Sequence, residues 1–511
     1  MPKLPRLFLQ PQIIKKIFNN SYLFTAICGL IYPFAFAPFQ VFPLAFLSLI
    51  GLCYLFLNSD KSKFLIGFIF GLCSFGTGVA WVYISLWKYG SAHIVFAIAA
   101  NIGLVIYLSL FPAFAGFFVN KYSDKNSVKR LFFIPLFLTL AELLRAYLIS
   151  GFPWLSAGYS QLYSPLKNFA PLGGVFLISF VLYLSSSLFA FYIVRRKIFY
   201  LCAFISFLLI SIICGFIRWT ENTGEKVQLA LVQGNIAQYT KFNIEQMGKD
   251  VEKYIKISND LKEKIIIWPE TAIPFMADDA QDLLADLDQV YKKRGQTLIV
   301  GIPSYGKNTD IYYNSLLILG DGQGKYSKDH LLPFGEYIPM KFLFSFFLKF
   351  VDIPLSDFSR GGKRQEILTA GNNKIAASIC FEGAFGRVMR NSFLPESDFL
   401  VNISNDGWFS GSRAAAQHLE MQQMRSIELG RDLARATNDG ITATIAANGK
   451  IRDRAPVNEE FVLSSFIEIR KGLTPYARFG NWLIFGFLFI YFALIAFICH
   501  KFDGQSHTKN A

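Results

Sequence analysis

The chain has 511 residues, of which 53% are hydrophobic and 16% aromatic, including 54 Phe. This composition excludes an average soluble protein, and the length favours at least two structural units. The formal net charge of +14 is compatible with nucleic-acid binding, but the sequence contains no nucleic-acid-binding motif, so we expect no such partner.

Long apolar runs begin near residue 21 and recur at close spacing. A helix needs about 20 apolar residues to cross a bilayer, with a range of about 17–25. The first run remains as a span rather than a cleaved signal peptide, because similar runs follow it closely. The sequence therefore predicts eight spans, the second short enough to be partly re-entrant: 21–40, 42–57, 64–87, 93–119, 131–150, 170–194, 198–217 and 481–500.

Basic residues concentrate in the segments that alternate spans leave on one side of the membrane. Loops on the opposite side offer little more than Lys88 and Lys167. This positive-inside pattern places both termini in the cytoplasm. It predicts a transmembrane domain over 1–217, an extracytoplasmic domain over 218–480, and a last span with a short cytoplasmic tail over 481–511.

Residues 218–480 alternate short apolar runs with polar helical stretches, a pattern typical of a globular α/β domain. The predicted helices cover 243–263, 278–294 and 412–435. The predicted strands are rich in Val, Ile and Leu, so we expect a layered α/β sandwich in which they are buried on both faces. These strands are Val227–Gln233, Lys264–Trp268, Thr297–Ile302, Tyr312–Leu319, Lys374–Ile379, Phe399–Ser404 and Thr442–Ala447.

Cys380 is the one cysteine of seven that falls outside the predicted spans, where a thiol is usually a packing residue. It follows a predicted strand, as Glu270 does, and Lys328 lies in a polar segment after another. A thiolate can attack a carbonyl, a carboxylate can remove the thiol proton, and an ammonium can stabilise the oxyanion. Spacing alone leaves other readings open: Glu270 as a helix cap, Lys328 as a solvated residue and Cys380 as a core thiol.

Short motifs surround these residues and continue along the chain. Trp268-Pro269-Glu270-Thr271, Lys328 ahead of Leu332-Pro333-Phe334-Gly335-Glu336, and Cys380-Phe381-Glu382 resemble the triad segments of the nitrilase superfamily. Fused to eight spans, they resemble its membrane-integrated branch, the apolipoprotein N-acyltransferase family. Further matches to that family are Gly151–Trp154, Gly158–Gln161, Val232–Ile236, Asn405–Phe409 and Gln417-His418.

The resemblance implies a nitrilase-like αββα sandwich in which Glu270 is the general base, Cys380 the nucleophile and Lys328 the oxyanion stabiliser. It implies no cofactor, and the five His residues show no metal-ligand spacing. Phe242 stands where the family often has Trp, and Phe381 where it often has Tyr, so any role of a hydroxyl at 381 is absent. The implied supporting or substrate-binding residues are Glu336, Glu382, Asn314, Phe242, Phe381 and Trp408.

The implied reaction has two steps. Cys380 takes an acyl chain from a phospholipid, typically phosphatidylethanolamine, and the amine of a diacylated apolipoprotein then attacks the thioester. The expected setting is the bacterial inner membrane, with a monomeric enzyme whose catalytic domain faces the periplasm. One alternative is a membrane-tethered nitrilase-type amidase or hydrolase with water as acceptor, and another is a catalytically silent scaffold or transporter.

Three further expectations concern charged or aromatic segments. Lys341–Phe350 combines five Phe and two Leu with two Lys, so it fits an interfacial lid, with an ordinary buried helix as the alternative. Glu142 and Arg145 share one face of the fifth span, where they either pair structurally or line a lipid entrance. The predicted helix 412–435 has ionisable side chains that we expect to be solvated or salt-bridged, namely His418, Glu428, Arg431 and Arg435.

Overall fold

The computed structural model describes residues 20–90, 92–238, 244–306, 309–338, 357–363, 365–409 and 411–507. Phe242 and the predicted lid Lys341–Phe350 lie outside these ranges.

Apolar helices occupy each of the eight predicted spans. Three stretches are long and apolar enough to cross a membrane by themselves: Ile94–Tyr122, Val128–Ser150 and Pro165–Arg195. The pair Lys63–Gly78 and Val82–Tyr89, bent by 52°, would make a fourth, and the other four helices are shorter. Among the described residues the structure thus supports three or four spans by length, and the full set of eight stays a prediction.

These helices form one bundle, the helical region, with an apolar core. Its helices are α1 (Ser21–Ile31), α2 (Pro43–Asn58), α3 (Lys63–Gly78), α4 (Ile94–Tyr122), α5 (Val128–Tyr147), α6 (Ala170–Arg195) and α7 (Ile198–Cys214). Helices α3 and α4 approach so closely at Gly67 that a Cβ there would lie 2.1 Å from the Pro112 carbonyl oxygen. Small residues of this kind let apolar helices pack backbone to backbone.

Glu142 and Arg145 on α5 hold the loop that follows that helix. Glu142 Oε1 accepts hydrogen bonds from the Ala157 amide and the Tyr183 hydroxyl, both at 2.7 Å. Arg145 donates to the Phe152 carbonyl at 2.8 Å and to the Trp154 carbonyl. These contacts support a structural role for Glu142 and Arg145 rather than a lipid entrance. Each side chain bonds to the loop after α5 instead of pairing with the other.

The second unit is the α/β domain, whose described strands form two sheets. One has the order β13-β1-β2-β3-β4-β6 and the other β12-β11-β10-β9-β8-β7-β5. The strands are β1 (Glu221–Gln233), β2 (Ile265–Ile267), β3 (Thr297–Tyr305), β4 (Tyr312–Gly320), β5 (Gly322–Gln323), β6 (Lys325–Ser327), β7 (Leu368–Ala370), β8 (Asn373–Ile379), β9 (Phe399–Ser404), β10 (Leu433–Thr437), β11 (Ala443–Ile445), β12 (Ile451–Arg454) and β13 (Phe461–Lys471).

The two sheets pack face to face through residues such as Ile267 and Val401, and helices cover both outer faces. The helices are α8 (Ile244–Ser258), α9 (Gln281–Arg294), α10 (Gly386–Ser392), α11 (Ala414–Leu429), the short α12 (Pro475–Phe479) and α13 (Trp482–His507), which leaves the domain. This is the predicted αββα sandwich, and each of the seven predicted strands is present.

The prediction of one helix over 412–435 is wrong in its last part. Helix α11 ends at Leu429, Gly430 adopts a left-handed conformation with φ 64°, and Arg435 lies in strand β10. Glycine takes this conformation without a steric penalty and so ends the helix. Strand β13, at the edge of the first sheet, was not predicted at all.

The ionisable side chains of this segment were expected to be solvated or salt-bridged. The first alternative is wrong, and the second is confirmed. His418, Glu428, Arg431 and Arg435 are all buried. Glu428 forms an ion pair with Arg425 at 2.8 Å and accepts a hydrogen bond from the Val175 amide of α6. Helix α11 therefore packs its charges against the helical region instead of exposing them to water.

Candidate functional site

Three strand ends of the sandwich converge on one site. Glu270 follows β2 by three residues, Cys380 follows β8 directly, and Lys328 follows β6 directly. The backbone of β3 runs close beneath the Glu270 turn, since a Cβ on Gly301 would lie 2.5 Å from the Pro269 carbonyl oxygen. Strand ends are where α/β folds commonly assemble sites, and this fold brings the three predicted residues together.

Lys328 is the centre of a buried polar cluster. Its ammonium lies 2.8 Å from Glu336 Oε1 and 3.7 Å from Glu270 Oε1. Asn314 Nδ2 donates to both carboxylates, at 2.8 Å to Glu270 and 3.0 Å to Glu336. Asn314 and Glu336, two of the predicted supporting residues, thus hold the Glu270 and Lys328 side chains in a fixed arrangement.

The charge state of Lys328 follows from this cluster. Burial alone would lower the pKa of Lys328, but the carboxylates of Glu336 and Glu270 outweigh it and raise that pKa above its usual value. The side chain is therefore a permanent cation at neutral pH. A buried, protonated ammonium can stabilise a developing oxyanion, whereas it cannot accept a proton.

Cys380 adopts a left-handed backbone conformation, with φ 51°. This region is uncommon for residues other than glycine and is typical of strained functional positions. Burial and the Glu270 charge raise the pKa of the Cys380 thiol to about 12, and the Lys328 cation opposes that rise. The resting residue is therefore a thiol, and the carboxylate of Glu270 is one of the charges that act on it.

Glu382 joins the loop of Lys328 to the loop of Cys380. Its side chain is fully buried and accepts hydrogen bonds from the Asp329 and His330 amides at 2.9 Å and from the Ile379 amide at 2.8 Å. The Tyr326 hydroxyl lies 3.0 Å from both of its carboxylate oxygens. Burial raises the pKa of Glu382 to about 7, although the hydrogen bonds from the backbone amides act to lower it. Glu382 therefore ties the backbone after Lys328 to the backbone before Cys380.

A second buried chain of polar residues supports the nucleophile from the other side. His418 Nε2 lies 3.1 Å from the Cys380 carbonyl oxygen, and its Nδ1 lies 3.2 Å from Asp406. Arg435 donates to Asp406 at 2.7 Å and to Asn402 at 2.6 Å.

The tautomer of His418 follows from these partners. Burial and Arg435 lower the pKa of His418, and Arg435 Nη2 lies 3.2 Å from Nδ1, so a neutral ring that accepts from Arg435 at Nδ1 donates from Nε2 to the carbonyl. Sequence reasoning missed this role, although the Gln417-His418 motif had marked the position.

Aromatic rings separate the nucleophile from the helical region. The Phe381 ring stacks on His330 at 5.7 Å and on Trp154 at 5.8 Å between centroids. Trp408, a further predicted substrate contact, has its described ring contact with Tyr89 at 5.9 Å rather than with a triad residue. The residue that follows Cys380 thus packs in an aromatic wall built from both units.

Among the described residues, no group of three or more His, Cys, Asp or Glu side chains is placed to hold a metal ion. The chemistry that the site offers is that of its own carboxylate, ammonium and thiol.

Comparison with known proteins matches both units. Residues 28–188 match the model of the apolipoprotein N-acyltransferase N-terminal domain, and residues 228–469 match the carbon-nitrogen hydrolase model. The apolipoprotein N-acyltransferase of Methylococcus capsulatus is 38% identical over 465 residues, which cover 90% of this chain and 92% of that protein. The apolipoprotein N-acyltransferase of Coxiella burnetii is 36% identical, with 94% of this chain and 100% of that protein covered.

Proposed function

The chain belongs to the apolipoprotein N-acyltransferase family and is an acyltransferase; from this premise we propose that Cys380 carries the acyl group between two membrane-bound substrates. The donor is a phospholipid, with phosphatidylethanolamine as the expected species. The acceptor is the N-terminal amine of diacylglyceryl-cysteine in an apolipoprotein. The observation that carries the proposal is the convergence of Glu270, Lys328 and Cys380 at one set of strand ends.

In the first step, Glu270 takes the thiol proton while the Cys380 sulfur attacks an acyl ester carbonyl of the phospholipid. Lys328 stabilises the oxyanion of the tetrahedral intermediate. When that intermediate collapses, the carbon–oxygen bond breaks and Glu270 returns the proton to the leaving oxygen, so a lysophospholipid departs. The enzyme is left with a thioester on Cys380.

In the second step, the amine of the acceptor attacks the thioester carbonyl. Glu270 takes a proton from the attacking nitrogen and passes it to the leaving sulfur, which restores the Cys380 thiol. Lys328 again faces the oxyanion. Glu336, Asn314 and Glu382 keep this geometry constant through both steps, because each holds a triad residue or its loop by buried hydrogen bonds.

Water must be kept from the thioester, or the enzyme becomes a hydrolase. The apolar wall of Phe381, His330 and Trp154 supports this exclusion and suits an acyl chain. Trp408 and Phe242 remain proposed contacts of the substrate, and Lys341–Phe350 remains the proposed lid.

The proposed setting is the bacterial inner membrane, crossed by eight spans, with residues 218–480 in the periplasm and both termini in the cytoplasm. The distribution of basic residues supports this orientation. The apolar helices on both sides of the α/β domain would keep its thiol near the membrane surface, where both substrates have their chains. The enzyme is proposed to act as a monomer.

The test uses purified protein and phospholipid labelled in its acyl chains. We expect a hydroxylamine-sensitive label on the wild type and on Cys202→Ala, which removes an exposed thiol, but none on Cys380→Ala. Addition of a diacylated lipopeptide should then move the label to the peptide amine. An equal label on Cys380→Ala would refute the nucleophile, and release to water alone would support the hydrolase alternative.

A further inference from the structure

Arg387, at the start of helix α10, is a cation without a polar partner. No described residue forms a hydrogen bond or ion pair with its side chain, and its Nε is buried without an acceptor. Its guanidinium instead lies over the rings of Tyr147, at 4.8 Å, and Phe385, at 5.5 Å. Arg387 is half-buried, and a guanidinium whose nitrogens have no acceptor within the described residues has unused capacity for an anion.

The charges around Arg387 do not supply that anion. The other cation that acts on it is Arg360, which is exposed and repels it. Asp329 attracts the Arg387 guanidinium less than the two tyrosines do and forms no hydrogen bond with it. The remaining neighbours are the hydroxyls of Tyr147 and Tyr476, which are not carboxylates. Among the described residues, no carboxylate therefore pairs with Arg387.

Arg387 lines a small cleft where the helical region meets the α/β domain. Tyr147, the last residue of α5, and Asn481, which precedes α13, also line it and are joined by a hydrogen bond of 2.8 Å. Large apolar side chains near this junction are exposed, including Leu148 at 48% and Trp482 at 77%. Aromatic and apolar residues at the ends of membrane helices commonly lie at the level of lipid head groups.

The cleft is also close to the nucleophile. The Arg387 guanidinium lies over Phe385, and the Phe385 ring lies 4.9 Å from the ring of Phe381, the residue after Cys380. In a phospholipid, the head-group phosphate and the ester carbonyl are separated by only the glycerol unit. A phosphate bound at Arg387 would therefore hold the lipid against the short segment, residues 380–387, that also carries the thiol.

We propose that Arg387 binds the phosphate of the phospholipid acyl donor and so sets donor specificity. A planar guanidinium matches two phosphate oxygens, and its position over two rings reduces the conformational freedom lost on binding. The inference rests on the proposed phospholipid-to-Cys380 reaction. It adds to that reaction a binding contact outside the triad.

The test compares two acyl donors. One is phosphatidylethanolamine in detergent micelles, and the other is p-nitrophenyl octanoate, which has no phosphate. We expect Arg387→Gln to lower kcat/KM for the phospholipid about 10-fold or more, mainly through KM, and to leave acylation by the nitrophenyl ester unchanged. Arg387→Lys should recover part of the loss. Arg478→Gln, which removes an exposed cation from α12 of the same domain, should match the wild type with both donors.

Several outcomes would overturn the inference. If Arg387→Gln slows both donors equally, or slows neither, the residue has no specific role toward phosphate. If millimolar inorganic phosphate competes with phosphatidylethanolamine equally in the wild type and in Arg387→Gln, phosphate binds elsewhere than at Arg387. Failure of wild-type protein to form an adduct with either donor would instead refute the proposed function itself.

Discussion

Glu382→Gln tests whether the buried carboxylate between the two loops positions the triad. The carboxylate accepts from three backbone amides and faces the Tyr326 hydroxyl with both oxygens. A glutamine keeps one oxygen, which can still accept from the Asp329 and His330 amides. Its NH₂ group then faces the Ile379 amide, so that donor loses its acceptor just before the nucleophile.

A buried donor left without a partner costs about 1–3 kcal/mol. We therefore expect the free energy of unfolding of the variant to be lower than that of the wild type by about that amount. If the strain is relieved by movement of the Cys380 loop, thioester formation should slow by about 5- to 150-fold, because about 1.4 kcal/mol corresponds to a factor of ten.

The assay is the single-turnover rate of acyl-adduct formation, measured beside thermal unfolding. Glu252→Gln is a matched control, because Glu252 lies on the exposed side of α8. A Glu382→Gln protein that keeps the wild-type acylation rate and stability would refute the positioning role of this carboxylate.

Three further predictions concern Lys328 and the two histidines near the triad, His418 and His330. Lys328→Met removes the buried cation, so adduct formation in a single turnover should fall by about 100-fold or more; a rate within a factor of three of wild type would exclude oxyanion stabilisation by Lys328. His418→Phe loses the hydrogen bond to the Cys380 carbonyl, so we expect slower acylation with little change in phospholipid KM, and a raised KM at unchanged kcat would contradict this. Burial lowers the pKa of His330 from 6.5 to about 3, so the neutral ring contributes stability above about pH 6.5, and this contribution is lost as the pH falls towards 3. Denaturant unfolding of His330→Gln should therefore show weaker acid destabilisation than that of the wild type. Parallel pH curves for the two proteins would contradict the shift.

The catalytic residues were predictable because they follow apolar strands and carry motifs. Ile265–Ile267 and Asn373–Ile379 are buried strands, and the residues after them reach the same end of the sandwich. Asn314 and Glu336 were assigned from resemblance alone, since nothing in their spacing indicates that both contact Lys328.

The buried charges of α11 could not be predicted from the sequence. A helix with charged and polar side chains on several faces looks solvated, because the pattern does not reveal that a second unit covers it. Arg425 and Glu428 satisfy one another inside that interface, so burial costs them less than an isolated charge. Arg387 was missed for a related reason, since one basic residue without a motif gives no signal until its surroundings are known.

Strand β13 was missed although a signal was present. Leu463, Ser465, Ile467 and Ile469 are buried in alternation with more exposed neighbours, the pattern of an edge strand with one solvated face. The period of two was hidden because Phe461, Val462 and Phe466 place apolar side chains at the more exposed positions as well. The helix-to-strand change at Gly430 was missed because a glycine within a helical pattern is ambiguous until its backbone angle is seen.

The most direct test of the account is the mass of the peptide that contains Cys380 after the protein is incubated with phosphatidylethanolamine and no acceptor. The account predicts that this peptide gains the mass of one acyl chain, that hydroxylamine removes it, and that a diacylated lipopeptide discharges it as an amide. An acyl chain found on any other residue, or an N-acylated lipopeptide formed by Cys380→Ala, would contradict it.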